Sequence, residues 1–255
     1  MNNELLTNLM PAVLLALASG MIGVFTLMKR MSLAADAMSH IALPGLGLAF
    51  LYKINPLIGG AATLLIGALI IWKIEGKTKI PTETIIGVIF SLSLAIGSLV
   101  TPKEDLIEAL FGGIKNFNSK ELLITAFLTV GIIAVVLFLK NKMILQMTSE
   151  DLATVTGLKS GRLNLYFLLL FALTVILGLK FLGALLMGSL IIIPAAASKN
   201  MSWSINSMLL LSTLIAAISV AGGLMLSNVY GFAIGPATII LASLIFFISL
   251  FFKRN

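Results

Sequence analysis

Two ionisable side chains, Asp36 and His40, interrupt an otherwise apolar run from Met31 to Tyr52 that Lys53 closes. His40 is the single histidine of the chain. Four residues apart, they fall on one face of a helix with Cβ atoms about 5–6 Å from each other. A carboxylate and an imidazole so placed are a pair of ligands for a divalent transition ion such as zinc, manganese or iron, each offering a lone pair when deprotonated. Two ligands are too few for a closed site of four. Water, a backbone carbonyl or a second subunit must complete the shell, which suits an ion that has to leave again. Pro44 provides one carbonyl: it has no N–H to bond the oxygen of residue 40, so the His40 carbonyl is freed and a kink is expected there. Gly45 and Gly47 follow and allow another helix to approach closely.

The same pair admits plainer readings. Asp36 and His40 can hydrogen-bond to each other or to neighbouring helices as packing glue, or act as a proton relay, since histidine titrates near neutrality. Ser39 beside His40 makes no hydrolase dyad, because adjacent residues on a helix do not face each other. What raises the pair above coincidence is its setting, because an ionisable group within a membrane span is costly and usually faces a protein interior or an aqueous path.

That setting follows from the composition. Of the 255 residues, 59% are hydrophobic and 11% charged, with mean hydropathy +1.12, against roughly 45–50% and about 25% in a soluble domain. A soluble globular protein is excluded. At about 20 apolar residues per crossing, the length accommodates roughly nine transmembrane helices and no sizeable extramembrane domain. The sequence therefore predicts an all-α, polytopic helical membrane protein made of one transmembrane domain over residues 1–255. Uncharged runs place spans at Leu5–Met28, Ile54–Trp72, Thr84–Pro102, Leu122–Leu139, Leu163–Leu179 and Phe181–Ser198, and Met31–Tyr52 is a further span, apolar except for Asp36 and His40. A last stretch, Asn200–Phe252, is broken near Asn228–Gly235, where Pro236 follows. The two short segments flanking Lys180 are the ambiguous point; a re-entrant element there would reduce the count to eight. The N-terminus lacks the basic region of a secretory signal, so the first run is expected to be a retained span.

With no cysteine, disulfides, thiolate metal sites and cysteine nucleophiles are absent. No internal repeat is evident. The net charge of +7 would point to nucleic acid in a soluble protein, but here the loops account for it. With the N-terminus outside, twelve Lys and Arg residues fall inside (Lys29, Arg30, Lys73, Lys77, Lys79, Lys140, Lys142, Lys159, Arg162, Lys199, Lys253, Arg254) and five outside. The positive-inside rule then favours N-out and C-in, with lipid and not nucleic acid as the surrounding partner.

Two loops are long enough to act. Thr101–Glu121, outside, mixes both signs through Lys103, Glu104, Asp105 and Glu108 and contains Gly112 and Gly113. Lys140–Arg162, inside, contains a short helix near 148–160: Thr148 or Ser149 caps it, Glu150 and Asp151 put negative charge on its first turn, and Gly161 can end it. Leu152, Val155 and Thr156 would share one side, a surface for a partner protein or for lipid headgroups. There is no Gly-x-x-x-x-Gly-Lys-Ser/Thr run, so any ATP-driven step needs an ATPase on another polypeptide.

The order Lys29-Arg30-Met31-Ser32-Leu33-Ala34-Ala35-Asp36-Ala37-Met38-Ser39-His40-Ile41-Ala42-Leu43-Pro44-Gly45 resembles the signature of the membrane subunits of metal-type ABC importers, the zinc, manganese and iron uptake permeases. The resemblance continues through Ile86–Ser91, Leu110–Gly113, Glu150–Gly157, Leu182–Leu186 and Ile193–Ala196, covering essentially the whole chain. It implies an importer-type ABC permease of the prokaryotic cell membrane, working as a homodimer with two cytoplasmic ATPase subunits and an extracytoplasmic metal-binding protein. Such a permease is no enzyme itself and holds no permanent cofactor; a divalent metal, zinc or manganese and alternatively iron, is what it carries. On the matching positions the metal path maps to Asp36 and His40, and the helix that docks on the ATPase to Glu150, Asp151, Ala153 and Gly157. Two departures stand out. Ala35 occupies a position where glycine is usual, and Ile114–Asn118 is unusually polar, which bears on helix packing and on the outer contact with the binding protein. A proton-coupled secondary metal carrier, a same-type permease for an iron chelate or cobalamin, and a purely structural assembly subunit are the rival readings.

Overall fold

A computed structural model describes residues 3–101 and 119–252. Ten helices occupy them: α1 Asn3–Met28, α2 Ser32–His40, α3 Leu43–Leu51, α4 Pro56–Glu75, α5 Thr82–Val100, α6 Ser119–Thr148, α7 Glu150–Val155, α8 Ser160–Met201, α9 Ile205–Tyr230 and α10 Ile234–Ser249, with a 3₁₀ turn at Leu250–Phe252. The loop from Lys103 to Glu108, the Leu110–Gly113 block and Ile114–Asn118 lie outside the described residues.

Local chemistry explains most boundaries. Asn55 caps α4 by accepting from the Leu57 N–H at 2.9 Å, with Pro56 following in the first turn. Ser204 and Ser207 form a reciprocal capping box at the start of α9. Gly231, at φ 71°, ends that helix in the left-handed conformation glycine tolerates, which is the break expected near Asn228–Gly235.

α2 and α3 together make one crossing, Ser32–Leu51, with its break at residues 41–42. Where the sequence left Lys180 ambiguous, α8 bends at Gly183, whose φ of 74° and ψ of 172° lie in a region essentially reserved for glycine. The bend separates two arms, Ser160–Leu179 and Leu186–Met201, and folds them back so that Met187 lies against Gly178. Eight segments of 19 to 29 residues are long and apolar enough to cross a membrane. The second arm of α8 has 16 residues, or about 24 Å at 1.5 Å per residue.

Hydrogen bonds place the finish of this arm at the same end of the bundle as the start of α8. Trp72 Nε1 donates to the Gly161 carbonyl at 2.7 Å and Gln146 Nε2 to that of Ser160 at 3.2 Å, tying the ends of α4 and α6 to the start of α8. Lys140 Nζ donates to Asn206 Oδ1 at 3.0 Å, and Asn200 Nδ2 to Ser249 Oγ at 2.9 Å. The start and finish of α8 therefore share one end of the bundle, so the chain runs out along one arm and back along the other. Among the described residues, eight passes along the bundle have the length of a crossing and this arm is a ninth, shorter pass. The shared end holds Lys29, Arg30, Lys73, Lys77, Lys79, Lys140, Lys142, Lys159, Arg162 and Lys199, and is called the basic end below.

Burial sorts the crossings into centre and rim. Leu9–Met28 and Ser32–Leu51 are mostly buried, whereas most of Thr82–Val100 is exposed or half-buried. α1 and the arms of α8 form the core, joined by α2, while α4, α5, α6 and α10 present apolar faces outward, with Leu99, Phe127 and Phe138 exposed. In water such a surface would aggregate; in hydrocarbon it is the expected exterior.

Candidate functional site

α2 begins after Arg30, which takes a left-handed turn at φ 58°, and carries Asp36 and His40 on one face as the spacing predicts. His40 Nε2 lies 4.0 Å from Asp36 Oδ1, with the histidine side chain 8% exposed and the aspartate 54% exposed. Four ångströms is too long for a hydrogen bond, so the two do not close on each other as packing glue would. The other ring nitrogen, Nδ1, is buried without a hydrogen-bond partner among the described residues. Phe90 of α5 walls the imidazole, its ring centroid 5.5 Å away and tilted by 51°. Ser39 Oγ donates to the Asp36 carbonyl at 2.7 Å, satisfying the hydroxyl within the helix.

One turn on, the helix breaks. The bonds across the break run from Ile41 N–H to the Met38 carbonyl (3.2 Å), Ala42 N–H to Ser39 (3.4 Å) and Leu46 N–H to Ala42 (2.9 Å). Pro44, in the first turn of α3, has no N–H for the His40 carbonyl, which is therefore off the helical ladder. The glycines after it act as anticipated: Gly45 meets Gly59 of α4 backbone to backbone, and Gly47 packs on Thr101. Carboxylate, imidazole and a displaced carbonyl thus occupy five residues of chain, Asp36 to His40. No group of three or more His, Cys, Asp and Glu residues capable of holding a metal occurs among the described residues.

The second set of predicted residues sits elsewhere, on α7 at the basic end. Ser149 is the cap, its side chain accepting from the Leu152 N–H at 3.3 Å. Glu150 opens the helix and Asp151 is exposed. Gly157, and not Gly161, ends it: at φ 73° its N–H donates to the Thr154 carbonyl and the Leu158 N–H to that of Ala153, both at 3.0 Å, the pattern of a Schellman cap. Gly161 lies inside the first turn of α8. Ala153 is fully buried, while Leu152 and Val155 are 56% and 86% exposed. A six-residue helix thus rests on its alanine and offers two apolar side chains and an acid outward.

Between these places, sequence reasoning missed a polar junction. Asn164 of α8 donates to Glu75 Oε1 at 2.7 Å and accepts from Lys29 Nζ; Thr82 Oγ1 also donates to Glu75. Lys29 also lies 5.2 Å from the centre of the Phe167 ring. Lys29, Glu75, Thr82 and Asn164, with Arg30 and Gln146, border a cavity of about 550 Å³. Each polar group stood at the edge of an apolar run, where sequence gave no reason to join them.

Comparisons with known proteins bear on this arrangement. A family model described as "ABC 3 transport family" matches residues 1–253. The chain is 30% identical over 253 residues to the high-affinity zinc uptake system membrane protein ZnuB of Haemophilus influenzae, covering 97% of this chain and 96% of that one. It is 29% identical over 248 residues to the manganese transport system membrane protein MntC of Listeria innocua, covering 96% and 89%. Among solved structures, PsaBC from Streptococcus pneumoniae in complex with Fab superposes with TM-score 0.84 at 27% identity, over 98% of this chain and 91% of that one.

Proposed function

Given that this chain belongs to the ABC 3 transport family, we propose that it is the permease that carries a divalent transition metal, zinc or manganese, into the cytoplasm, with Asp36 and His40 as transient ligands. One observation carries the assignment: within a membrane-crossing segment, a half-exposed carboxylate stands 4.0 Å from a buried imidazole whose other nitrogen has no partner among the described residues. A carboxylate exposed at that depth is costly against lipid and needs water, an ion or another protein surface beside it. A second copy of the permease supplies that surface, so the proposed assembly is a homodimer with Asp36 of each chain facing the shared path. The His40 carbonyl, off the ladder because of Pro44, is a third oxygen or nitrogen donor within reach of the same ion.

Work comes from outside the chain. The proposed orientation is N-out and C-in, with the basic end cytoplasmic. There, Asp151, Leu152 and Val155 of α7 form the face for an ATPase subunit, one on each permease, with Glu150, Ala153 and Gly157 holding that face in shape. Closure of the ATPases rocks the permeases as rigid bodies and exposes the Asp36 level to one side at a time. An extracytoplasmic binding protein delivers the ion at the opposite end. The permease makes and breaks no covalent bond.

The test is metal uptake into vesicles containing permease and ATPase subunits, with zinc and manganese supplied separately on the binding protein. Asp36→Ala and His40→Ala are expected to abolish uptake with normal membrane content of permease; unchanged uptake in both removes the site. Uptake that proceeds without ATPase, driven by a proton gradient, would replace this reading with a secondary carrier.

A further inference from the structure

Gly188, two residues into the second arm of α8, lies under Asp36. A Cβ built there would come within 2.5 Å of Asp36 Cα, 2.8 Å of its nitrogen and 3.0 Å of the Ala35 carbonyl carbon. Every one of these atoms is backbone, so no rotamer change relieves the contact. The main chain that carries the proposed ligand therefore rests directly on the main chain of α8.

The arm beneath cannot retreat. Gly23 of α1 presses on the Ile191 carbonyl, Gly235 of α10 on Leu186, and Gly178 on Met187; Met187, Leu190 and Ile191 are completely buried. Its start at Leu186 is fixed by Gly183, three residues earlier, in a conformation other residues do not adopt. A methyl group at 188 would instead move α2, by roughly 1 Å to restore ordinary contact.

We propose that Gly188 is a positioning residue for metal binding: by admitting the backbone of α2 to contact, it sets how far the face of α2 that bears Asp36 and His40 projects toward the second copy that completes the ligand shell. The proposal rests on the reading of Asp36 as a ligand. Mutation of the groups that support a metal ligand typically reduces affinity by about 10–100-fold. Displacement of α2 also changes the geometry at the metal, which loss of stability alone would not do.

The experiment is a titration of the purified, membrane-reconstituted permease with Co²⁺, whose visible absorption reports coordination. The parent protein is expected to bind, and Asp36→Ala to lose binding; if Asp36→Ala binds as the parent does, the ligand reading fails and takes this role with it. With that control in place, Gly188→Ala should weaken binding about 10–100-fold and alter the Co²⁺ spectrum. Gly131→Ala, on α6 with nothing within 4 Å of the added carbon, should leave both as in the parent. Adding Asp36→Glu to Gly188→Ala should recover part of the lost affinity, because one more methylene reaches back across the displacement. Parent-like affinity in Gly188→Ala, or no recovery with glutamate, overturns the positioning role. Should Gly188→Ala fail to accumulate, Leu186→Ala, which removes the side chain seated on Gly235, loosens the same turn without adding an atom; unchanged Co²⁺ affinity there overturns it equally.

Discussion

Replacing Gly157 by alanine adds one methyl group at the end of α7, where nothing lies within 4 Å of the new carbon. Steric cost is therefore absent, and the effect reduces to the backbone. At φ 73° an L-residue with a Cβ pays about 1–2 kcal/mol. Two bonds depend on that conformation, from the Gly157 N–H to Thr154 and from the Leu158 N–H to Ala153. A penalty of that size raises the open fraction of the cap about 5–30-fold, read as faster hydrogen exchange at the Leu158 amide of the reconstituted permease. Gly161, four residues on, is the internal control. It too has open space around it but lies within the first turn of α8, so Gly161→Ala should be neutral or stabilising by up to about 1 kcal/mol. Gly157→Asn should fall between, since asparagine tolerates the left-handed region better than alanine. Because the proposed ATPase face is α7 itself, Gly157→Ala should also raise the ATP hydrolysed per ion transported, and Gly161→Ala should not. Exchange at Leu158 unchanged by Gly157→Ala, or accelerated equally by Gly161→Ala, refutes the argument from backbone conformation.

Two further outcomes follow from the packing. Gly45→Ala and Gly59→Ala each push α3 and α4 apart at a reciprocal backbone contact and should each cost about 1–3 kcal/mol; once the helices have parted the second methyl fits, so the double variant should cost less than the sum, and additive shifts in thermal unfolding in detergent would exclude a shared contact. Since the chain has no cysteine, Val155→Cys should react with a membrane-impermeant thiol reagent from the cytoplasmic side only and Lys53→Cys from the outer side only; the reverse pattern would invert the proposed orientation.

Much of the architecture was legible because charge is so scarce that each uncharged run of about 20 residues marks a crossing. The legibility ended where the chain ignores that rule. α6 was expected to stop at Leu139, yet its helix continues to Thr148, since the backbone bonds that make a helix are indifferent to the bilayer edge. Lys140 and Lys142 simply turn their amines aside, to Asn206 and over the Phe138 ring. At the hairpin, Lys180 drew the boundary in sequence, whereas the turn belongs to Gly183, whose need for glycine shows only in φ and ψ. Gly157 and Gly161 could each have ended α7; the choice was made by which of them places the following N–H on the Ala153 carbonyl. The Asp36 and His40 pairing was readable from spacing, but not that the imidazole is buried and the carboxylate half exposed. Those depend on Phe90 and Gly188, which meet α2 only once the bundle has closed.

That asymmetry bears on how such a site could release what it binds. In the proposed dimer each chain brings one carboxylate and one imidazole, so two copies together supply four nitrogen and oxygen ligands, the number that closes a tetrahedral zinc shell. One copy alone supplies two such side chains, besides the His40 carbonyl. A rigid-body motion that separates the chains therefore halves the ligand set without rearranging α2, and the rigidity of α2 on its glycine support becomes a requirement of the mechanism. Were Asp36 free to follow the ion as the chains part, the opening stroke would stretch the site instead of dismantling it. The half-exposed carboxylate and the tightly seated backbone beneath it are thus two aspects of one demand: the ligand must project toward the partner while its own helix does not yield.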